Sequence, residues 1–286
     1  MSDAPLVYII VLNWNRPRLT LDCLESLRSL DYPNYRVLVV DNGSTDESVA
    51  KIRAAFPSIE IVETGENLGF AGGNNKGIER ALENGAEFVW LLNNDTCVFS
   101  DTLNALVASA IEDPRIGAVG SVLLASTRPD VVLAWGGGNV NMWAGRATHT
   151  TEAIHMTTRT FLSAASILLR RQALESAGFL DAGFFMYWED VDLSFRIRKA
   201  GYRLVVAPAA RLLHFECSTL TKQNPLLVRY SSQSLVRFFQ RHSPLPWIPI
   251  GCALASRMFK KIVLGRWQDV AATVQGARNG FRQLSW

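Results

Sequence analysis

The strongest constraint on the fold is an alternation in the first third of the chain. Leu6 to Leu12, Arg36 to Val40, Ile59 to Val62 and Glu87 to Leu92 are short, nearly continuous apolar runs, the pattern of strands covered on both faces of a parallel sheet. Helical patterns fill the gaps between them. Pro17 suits the first turn of a helix over 17–30, because its fixed φ is helical and its missing N–H is not needed there. Ser44, with Glu47 three residues on, reads as a capping box for a helix over 45–55. Asn74 to Asn84 gives a third helix, ended by Gly85. Strands and helices in this order make a doubly wound α/β half-domain.

Downstream the pattern changes to a helix near 101–112, a strand over Gly117 to Leu123 and a Gly-rich stretch, Trp135 to Asn139. A strand over Phe161 to Leu169 follows, then a short helix over Arg171 to Ala177 and a longer one over Glu189 to Ala200. Arg203 to Ala207 reads as a further strand and 224–241 as a helix. No linker rich in Gly, Ser and Pro separates the halves, so the second half is expected to complete the same sheet.

The strand ends carry the chemistry. In an open α/β sheet, ligands sit outside the carboxyl ends of the strands, and here those ends are polar: Asn13-Trp14-Asn15-Arg16, Asp41 to Asp46, and Asn93-Asn94-Asp95. Asp41 directly follows Val39-Val40, where its carboxylate could accept the imide N–H of uracil or thymine. Burying Asn93-Asn94-Asp95 without partners would cost several kcal/mol, and a divalent ion bridging a diphosphate would supply them. Mg²⁺ and Mn²⁺ need only one or two protein carboxylates when phosphate and water complete the shell. Asn67 to Lys76 places glycines and amides ahead of the expected helix, where backbone N–H groups attract anions, and Lys76 adds a charge. A further acidic cluster, Glu189-Asp190-Val191-Asp192, follows Phe184-Phe185-Met186-Tyr187-Trp188. Aromatic neighbours would desolvate a carboxylate and raise its proton affinity, as a general base requires, and offer flat faces for a sugar. Each cluster also has an ordinary structural reading, as a polar turn or a helix start. His214, after a strand, is placed as a neutral imidazole ligand could be.

Taken together these residues resemble glycosyltransferase family 2, and within it the rhamnosyltransferase-like branch of bacterial surface-polysaccharide synthesis. The motifs run in order from Tyr8 to His214: Val11 to Asn15, Val39 to Asp46, Asn67 to Asn75, Leu91 to Asp95, and Glu189 to Arg196. The resemblance implies a GT-A fold, with a Rossmann-like, mostly parallel sheet flanked by helices. It divides the chain into a catalytic domain over 1–223, with a nucleotide-sugar half (1–95) and an acceptor half (96–223), and a helical, basic extension over 224–286. It also implies an inverting, metal-dependent enzyme with Mg²⁺ or Mn²⁺, a UDP- or dTDP-sugar donor and a glycan or lipid-linked acceptor. Carried over residue by residue, Asp190 is the catalytic base, Asp95 and His214 hold the metal, and Trp188 and Glu189 meet the acceptor. Leu12, Asn13, Asn15, Asp41, Gly43, Asn67, Lys76, Asn93 and Asn94 belong to the donor site, with Asp41 on the pyrimidine. Asn93 stands where the family's DxD motif has its first acid. Tyr230-Ser231-Ser232-Gln233-Ser234 stands where many members of this branch have an Arg-Asn pair, which leaves the sugar open. Two rivals stay open beside this reading: a nucleotidyltransferase acting on a sugar phosphate, and a non-catalytic nucleotide-sugar-binding module.

With 286 residues and 48% hydrophobic content the chain can bury a large core. The net charge of +3 conceals a split, since 241–286 carries seven cations against Asp269 alone. Trp247, Phe259, Ile262, Val263 and Trp267 are interleaved among those cations, which suits a helix over 245–267 lying on a membrane surface or packing on the domain. No run of about 18 apolar residues marks a membrane span. The four cysteines lie far apart and no signal peptide precedes them, so free thiols and a cytoplasmic location, peripheral to the inner face of the membrane, are expected. No nucleic-acid partner is expected, and nothing in the sequence sets an oligomeric state.

Overall fold

A computed structural model describes residues 4–153, 156–158, 160–215 and 224–282. The first half follows the alternation of its sequence. β1 (Val7–Asn13), β2 (Tyr35–Asp41), β3 (Glu60–Glu63) and β4 (Phe88–Asn93) are joined by α1 (Pro17–Leu27), α2 (Ser48–Ala55) and α3 (Gly69–Glu83). All neighbours among these four strands pair in parallel. The second half continues through β5 (Thr96–Val98), α4 (Thr102–Ile111), β6 (Ile116–Ala125), β7 (Arg128–Trp135), β8 (Gly137–Asn141) and β9 (Arg146–His149). It closes with β10 (Thr160–Leu162), β11 (Ser166–Arg170), α5 (Arg171–Ala177), α6 (Glu189–Lys199) and β12 (Arg203–His214).

The main sheet has nine strands in the order β3-β2-β1-β4-β11-β6-β12-β5, with β7 on β6; β10, β8 and β9 form a smaller sheet. β11 enters antiparallel between β4 and β6, so the sheet is parallel in its first half and mixed beyond β4. Alternate residues of β1 feed two cores. Val7, Ile9 and Val11 pack with Leu24 and Leu27 of α1 and Leu103 and Leu106 of α4, while Tyr8 and Ile10 pack with Ile78 of α3 and Leu193 and Ile197 of α6. Each such side chain contributes roughly 1.5–3 kcal/mol by leaving water.

Three helices complete the described chain: α7 (Pro225–His242), α8 (Trp247–Val263) and α9 (Trp267–Arg282). α7 turns Leu235, Val236, Phe238 and Phe239 into a third core shared with Phe184, Trp188 and Val191. Gly280 approaches Val236 and Gly276 approaches the Arg229 carbonyl so closely that any side chain at either position would collide with α7. The expected domain boundary falls at 223, and 216–223 lie outside the described residues.

Four expectations from the sequence shift. Ser44 does not cap α2, which starts at Ser48; the Asp46 carboxylate instead accepts the Ser48 N–H at 3.0 Å. α3 starts at Gly69 rather than Asn74. Its glycines carry an entropic penalty in a helix, but they let α3 lie close on the sheet: a Cβ at Gly77 would stand 2.6 Å from the Ile10 side chain, and one at Gly73 2.6 Å from Leu12. The run Phe161 to Leu169 is two strands, because the chain leaves the small sheet at Leu162 and joins the main sheet at Ser166. β12 does not stop at Ala207; a register shift before Arg211 absorbs Pro208 and the strand runs on to His214.

Candidate active site

The parallel register of the first strands aligns their polar ends. Asn13 pairs with Asp41 and Leu12 with Asn93, so all three motifs finish at one edge of the sheet. Asn13 is fully buried there and joins them. Its amide donates to the Asp41 carboxylate at 2.8 Å and to the Ser44 hydroxyl at 3.1 Å, while its carbonyl accepts from the Thr20 hydroxyl at 2.7 Å. Thr20, one turn into α1, also accepts from the Asn94 amide at 2.9 Å. A chain of side chains thus runs from Asp41 through Asn13 and Thr20 to Asn94. Asp41 receives a second donor, the Ser44 N–H, on its other oxygen at 3.0 Å.

Neighbouring loops are latched to this edge. Asn15 takes a positive φ of 51°; its N–H donates to Ser44 and its side chain accepts the Thr45 N–H. Gly43 is left-handed at φ 71°, and a Cβ there would collide with the Glu66 backbone. Asn42, 2% exposed, donates to Asn67 at 3.1 Å and to the Gly69 carbonyl at 3.0 Å. The Asn67 carbonyl also accepts the Gly69 N–H at 2.9 Å, so this amide serves the start of α3. The next helical N–H, that of Phe70, donates to the Phe185 carbonyl at 2.7 Å, which binds the Gly-rich motif to the aromatic segment ahead of α6. Lys76 is not brought into this cluster. It lies on the exposed side of α3 and pairs with Glu79 at 2.9 Å.

Beyond β4, β5 and β12 pair antiparallel with His214 opposite Thr96, and the Phe215 N–H donates to the Asp95 carbonyl at 2.8 Å. That pairing sets His214 Nε2 3.2 Å from Asp95 Oδ1. Both atoms are buried, and neither makes a hydrogen bond of acceptable geometry. Two buried, mutually facing donor atoms without partners fit the demands of a divalent cation whose remaining ligands come from a phosphate and water. Among the described residues no third His, Cys, Asp or Glu joins them.

The acidic cluster at the start of α6 divides by direction. Tyr187 and Trp188 both take φ 69°, a left-handed turn that swings the helix start toward the sheet. Asp190 Oδ2 accepts the Ala164 N–H at 3.2 Å and Oδ1 the Val191 N–H at 2.8 Å. Ala165, the next residue, accepts the Asn93 N–H at 3.0 Å. The segment between β10 and β11 therefore links Asp190 to the turn that carries Asp95. Burial raises the Asp190 carboxyl above the ordinary range, against the Ala164 N–H and the nearby His149. Glu189 is raised well above it by burial and then by Asp190, and its Oε2 has no hydrogen-bond partner.

Asp192 points elsewhere. Fully buried, it pairs with Arg196 at 2.6 Å, Arg241 at 2.9 Å and His242 at 2.8 Å. Burial opposes its ionisation, yet His242, Arg196 and Arg241 outweigh that and hold the carboxyl at about 2. Arg241 and Arg237 also grip Asp181 at 2.7 and 2.8 Å, so this network ties α7 to α6 and to the segment before it.

Asp190 and Glu189 open onto a cavity of about 340 Å³, bounded also by Arg146, Thr148 and His149 of β9, Tyr187 and Trp188, Ser231 of α7 and Arg257 of α8. The Trp188 ring is 7% exposed and packs on Phe238 and Phe239 with centroids 4.8 and 5.3 Å away. Tyr187, 41% exposed, is the freer aromatic face.

The family model described as glycosyl transferase family 2 matches residues 8–178, which include every strand-end motif of the first half. The chain belongs to glycosyl transferase family 2. An N-acetylglucosaminyl-diphospho-decaprenol L-rhamnosyltransferase of Mycobacterium tuberculosis is 30% identical to this family 2 glycosyltransferase over 263 residues, covering 80% of this chain and 85% of the relative. The O-antigen biosynthesis protein RfbC of Myxococcus xanthus is 31% identical over 236 residues, 77% of this chain and 18% of that protein. Among solved structures, a mannosyltransferase from Pyrobaculum calidifontis in complex with GDP-Man and Mn²⁺ superposes with a TM-score of 0.63 at 20% identity, over 99% of this chain and 89% of that one. The fold is GT-A, and the rhamnosyltransferase-like resemblance of the motifs is matched by the mycobacterial relative.

The structure thus gathers Leu12, Asn13, Asn15, Asp41, Gly43, Asn67, Asn93, Asn94 and Asp95 at one sheet edge, pairs Asp95 with His214, and groups Asp190, Glu189 and Trp188 at the adjoining cavity. Thr20 and Ala164 had no signal in the sequence, and Asn42 and Asp192 were read only as members of their motifs, without these partners. Each has a partner more than 20 residues away in the chain: Asn94 for Thr20, Asn67 for Asn42, Asp190 for Ala164 and Arg241 for Asp192.

Proposed function

We propose that this family 2 glycosyltransferase is an inverting enzyme that moves one sugar, L-rhamnose, from a UDP- or dTDP-sugar to a hydroxyl of a lipid-linked glycan. The observation that carries the proposal is the joint between Asp190 and Asp95: a desolvated carboxylate at a cavity mouth, held by Ala164 next to the residue that pairs with the metal-facing turn. Asp190 accepts the proton of the acceptor hydroxyl while that oxygen bonds to the anomeric carbon. The bond from this carbon to the diphosphate oxygen breaks with its electron pair, and the nucleoside diphosphate leaves from the opposite face. Its raised proton affinity suits a base that must take a proton from an alcohol.

Asp95 and His214 would hold Mg²⁺ or Mn²⁺, and that cation, when bound, neutralises charge on the departing diphosphate. Asp41 has lone pairs left after Asn13 and Ser44 and accepts the imide N–H of the pyrimidine, its position fixed by Asn13. Glu189, Trp188 and Tyr187 line the acceptor side. The mycobacterial relative's name specifies an acceptor on a decaprenyl diphosphate and L-rhamnose as the sugar, which supports both assignments here.

The C-terminal helices bring this site to a membrane surface. No helix among the described residues is long and apolar enough to cross a membrane. α8 buries Pro249, Ile250 and Ala253 and leaves Trp247, Phe259, Val263 and Leu264 exposed, as is Trp267, with Lys260 beside them. Such a face suits peripheral attachment to anionic lipid.

Thermal stabilisation by a panel of nucleotide sugars with Mn²⁺ tests the reading. UDP- or dTDP-sugars should raise Tm, and dTDP-rhamnose or UDP-rhamnose should support transfer to a lipid-diphosphate-linked N-acetylglucosamine. Absence of stabilisation by every pyrimidine nucleotide sugar would contradict it.

A further inference from the structure

The cavity beside Asp190 has a basic end that the transfer step does not use. Arg146 of β9 and Arg257 of α8 both line it. Arg146 donates to the Ser256 hydroxyl at 2.7 Å, and Arg257 reaches the Ser231 and Ser232 hydroxyls at 3.3 and 3.4 Å. Neutral hydroxyls are thus the partners that hold both guanidinium groups, and among the described residues neither is in an ion pair. Burial, and then the repulsion of Arg146, lowers Arg257 to about 10. The two acids across the cavity do not relieve this: burial dominates at both, and neither arginine is among the groups that oppose it there. Arg257 is poorly solvated and lies beside the exposed Arg146, and a second positive charge at its side is unfavourable unless an anion joins them.

We infer that Arg146 and Arg257 form a subsite for a phosphate or diphosphate carried by the acceptor. The guanidinium group matches phosphate oxygens in a planar fork and is weakly hydrated for a cation. The position suits the rest of such a molecule. On α8, Ile250, Ala253 and Arg257 recur every three or four residues along the inward stripe, while Phe259, Ile262 and Val263 are exposed beyond them. With a rise of about 1.5 Å per residue, an apolar chain leaving a phosphate at Arg257 meets that exposed end within about two turns. A sugar on the other side of the phosphate enters the cavity toward Asp190. The inference rests on the transferase reading and names the part of the acceptor that this chain grips.

Calorimetric binding of geranyl diphosphate to the full chain in EDTA tests it, because without divalent metal the Asp95 and His214 pair cannot recruit a diphosphate. The native protein should bind it, and Arg257→Gln and Arg146→Gln should each weaken binding by about 10- to 100-fold. UDP or dTDP binding with Mn²⁺ should stay unchanged in both, which also reports that they fold. Arg146 is exposed, so Arg146→Gln keeps the test decisive if Arg257→Gln does not fold. Undiminished geranyl diphosphate binding in the folded variants overturns the inference, as does loss of nucleotide binding in its place, which would assign the arginines to the donor. Equal binding of dihexanoyl phosphatidylglycerol would mark a lipid-headgroup site and also overturn it. Arginine-dependent geranyl diphosphate binding in a protein that binds no pyrimidine nucleotide would sink the transferase reading and leave the anion subsite standing.

Discussion

The Asp190 carboxylate accepts the Ala164 N–H at 3.2 Å. Because Ala165 in turn holds the Asn93 N–H at 3.0 Å, the acid that faces the acceptor cavity and the turn that carries Asp95 share one short backbone link. The link fixes the spacing between the two, as a reaction between groups held in a set geometry requires.

The pH dependence of kcat/KM distinguishes the two adjacent acids. A base must be ionised, and burial raises Asp190, so activity should fall on the acid side at a pH above the usual carboxylate range of about 3.9–4.3. Glu189 is raised well above its ordinary range by burial and then by the Asp190 charge, so an ionised Asp190 favours the protonated form of Glu189. Glu189→Gln imitates that protonated form and should keep most of the activity and the acid limb. A variant inactive at every pH would move the base to Glu189.

Glu189 also links pH to stability. A carboxyl raised in the folded state binds its proton more tightly there than in the unfolded chain, so its contribution is complete below the unfolded value and is lost as pH rises through the folded one. Glu189→Gln should therefore raise Tm relative to the native protein at neutral pH and converge with it in mild acid. Scanning calorimetry at two pH values checks the sign.

Asp192 should behave in the opposite sense. Removing one partner of a buried ion network leaves its cations uncompensated, and Asp192→Ala should lose about 3–5 kcal/mol in denaturant unfolding. Its carboxyl is held at about 2, so the stability it supplies is present above the unfolded value near 3.9 and disappears as pH falls toward about 2.

Asn13→Ala strips the hydrogen bonds that fix Asp41 and Thr20. Buried groups left without partners cost about 1–3 kcal/mol each, and pyrimidine nucleotide affinity should fall by a similar free energy. Lys76→Ala, on the exposed side of α3 and paired with Glu79, should bind nucleotide as the native protein does. Titration calorimetry of both variants with UDP or dTDP and Mn²⁺ separates them.

The first half of the fold was legible because its strands are buried on both faces and so read as continuous apolar runs, with polar residues where the register ends. What the sequence hid is where local and tertiary preferences disagree. Glycines at 72 and 73 suggested a loop, yet they lie in α3, where close contact with Leu68, Leu12 and Asn42 leaves no room for a side chain; Gly69 opens the helix at a positive φ against Phe185. β5 and β9 are three and four residues long, too short for a periodic signal. Asp190 and Asp192 look alike in sequence; the surroundings distinguish them, one against an open cavity and the other beneath Arg196, Arg241 and His242 of α6 and α7. Arg257 was readable as part of a basic surface tail, and the packing of α8 on Gly145 and on α7 and α9 turns it inward.

Turnover and donor affinity of Asp190→Asn, measured together with a pyrimidine nucleotide sugar, Mn²⁺ and a lipid-diphosphate-linked acceptor, test the central claim most directly. The account predicts donor affinity within error of the native protein and transfer slowed by about 10²–10⁴-fold; transfer at the native rate would contradict it.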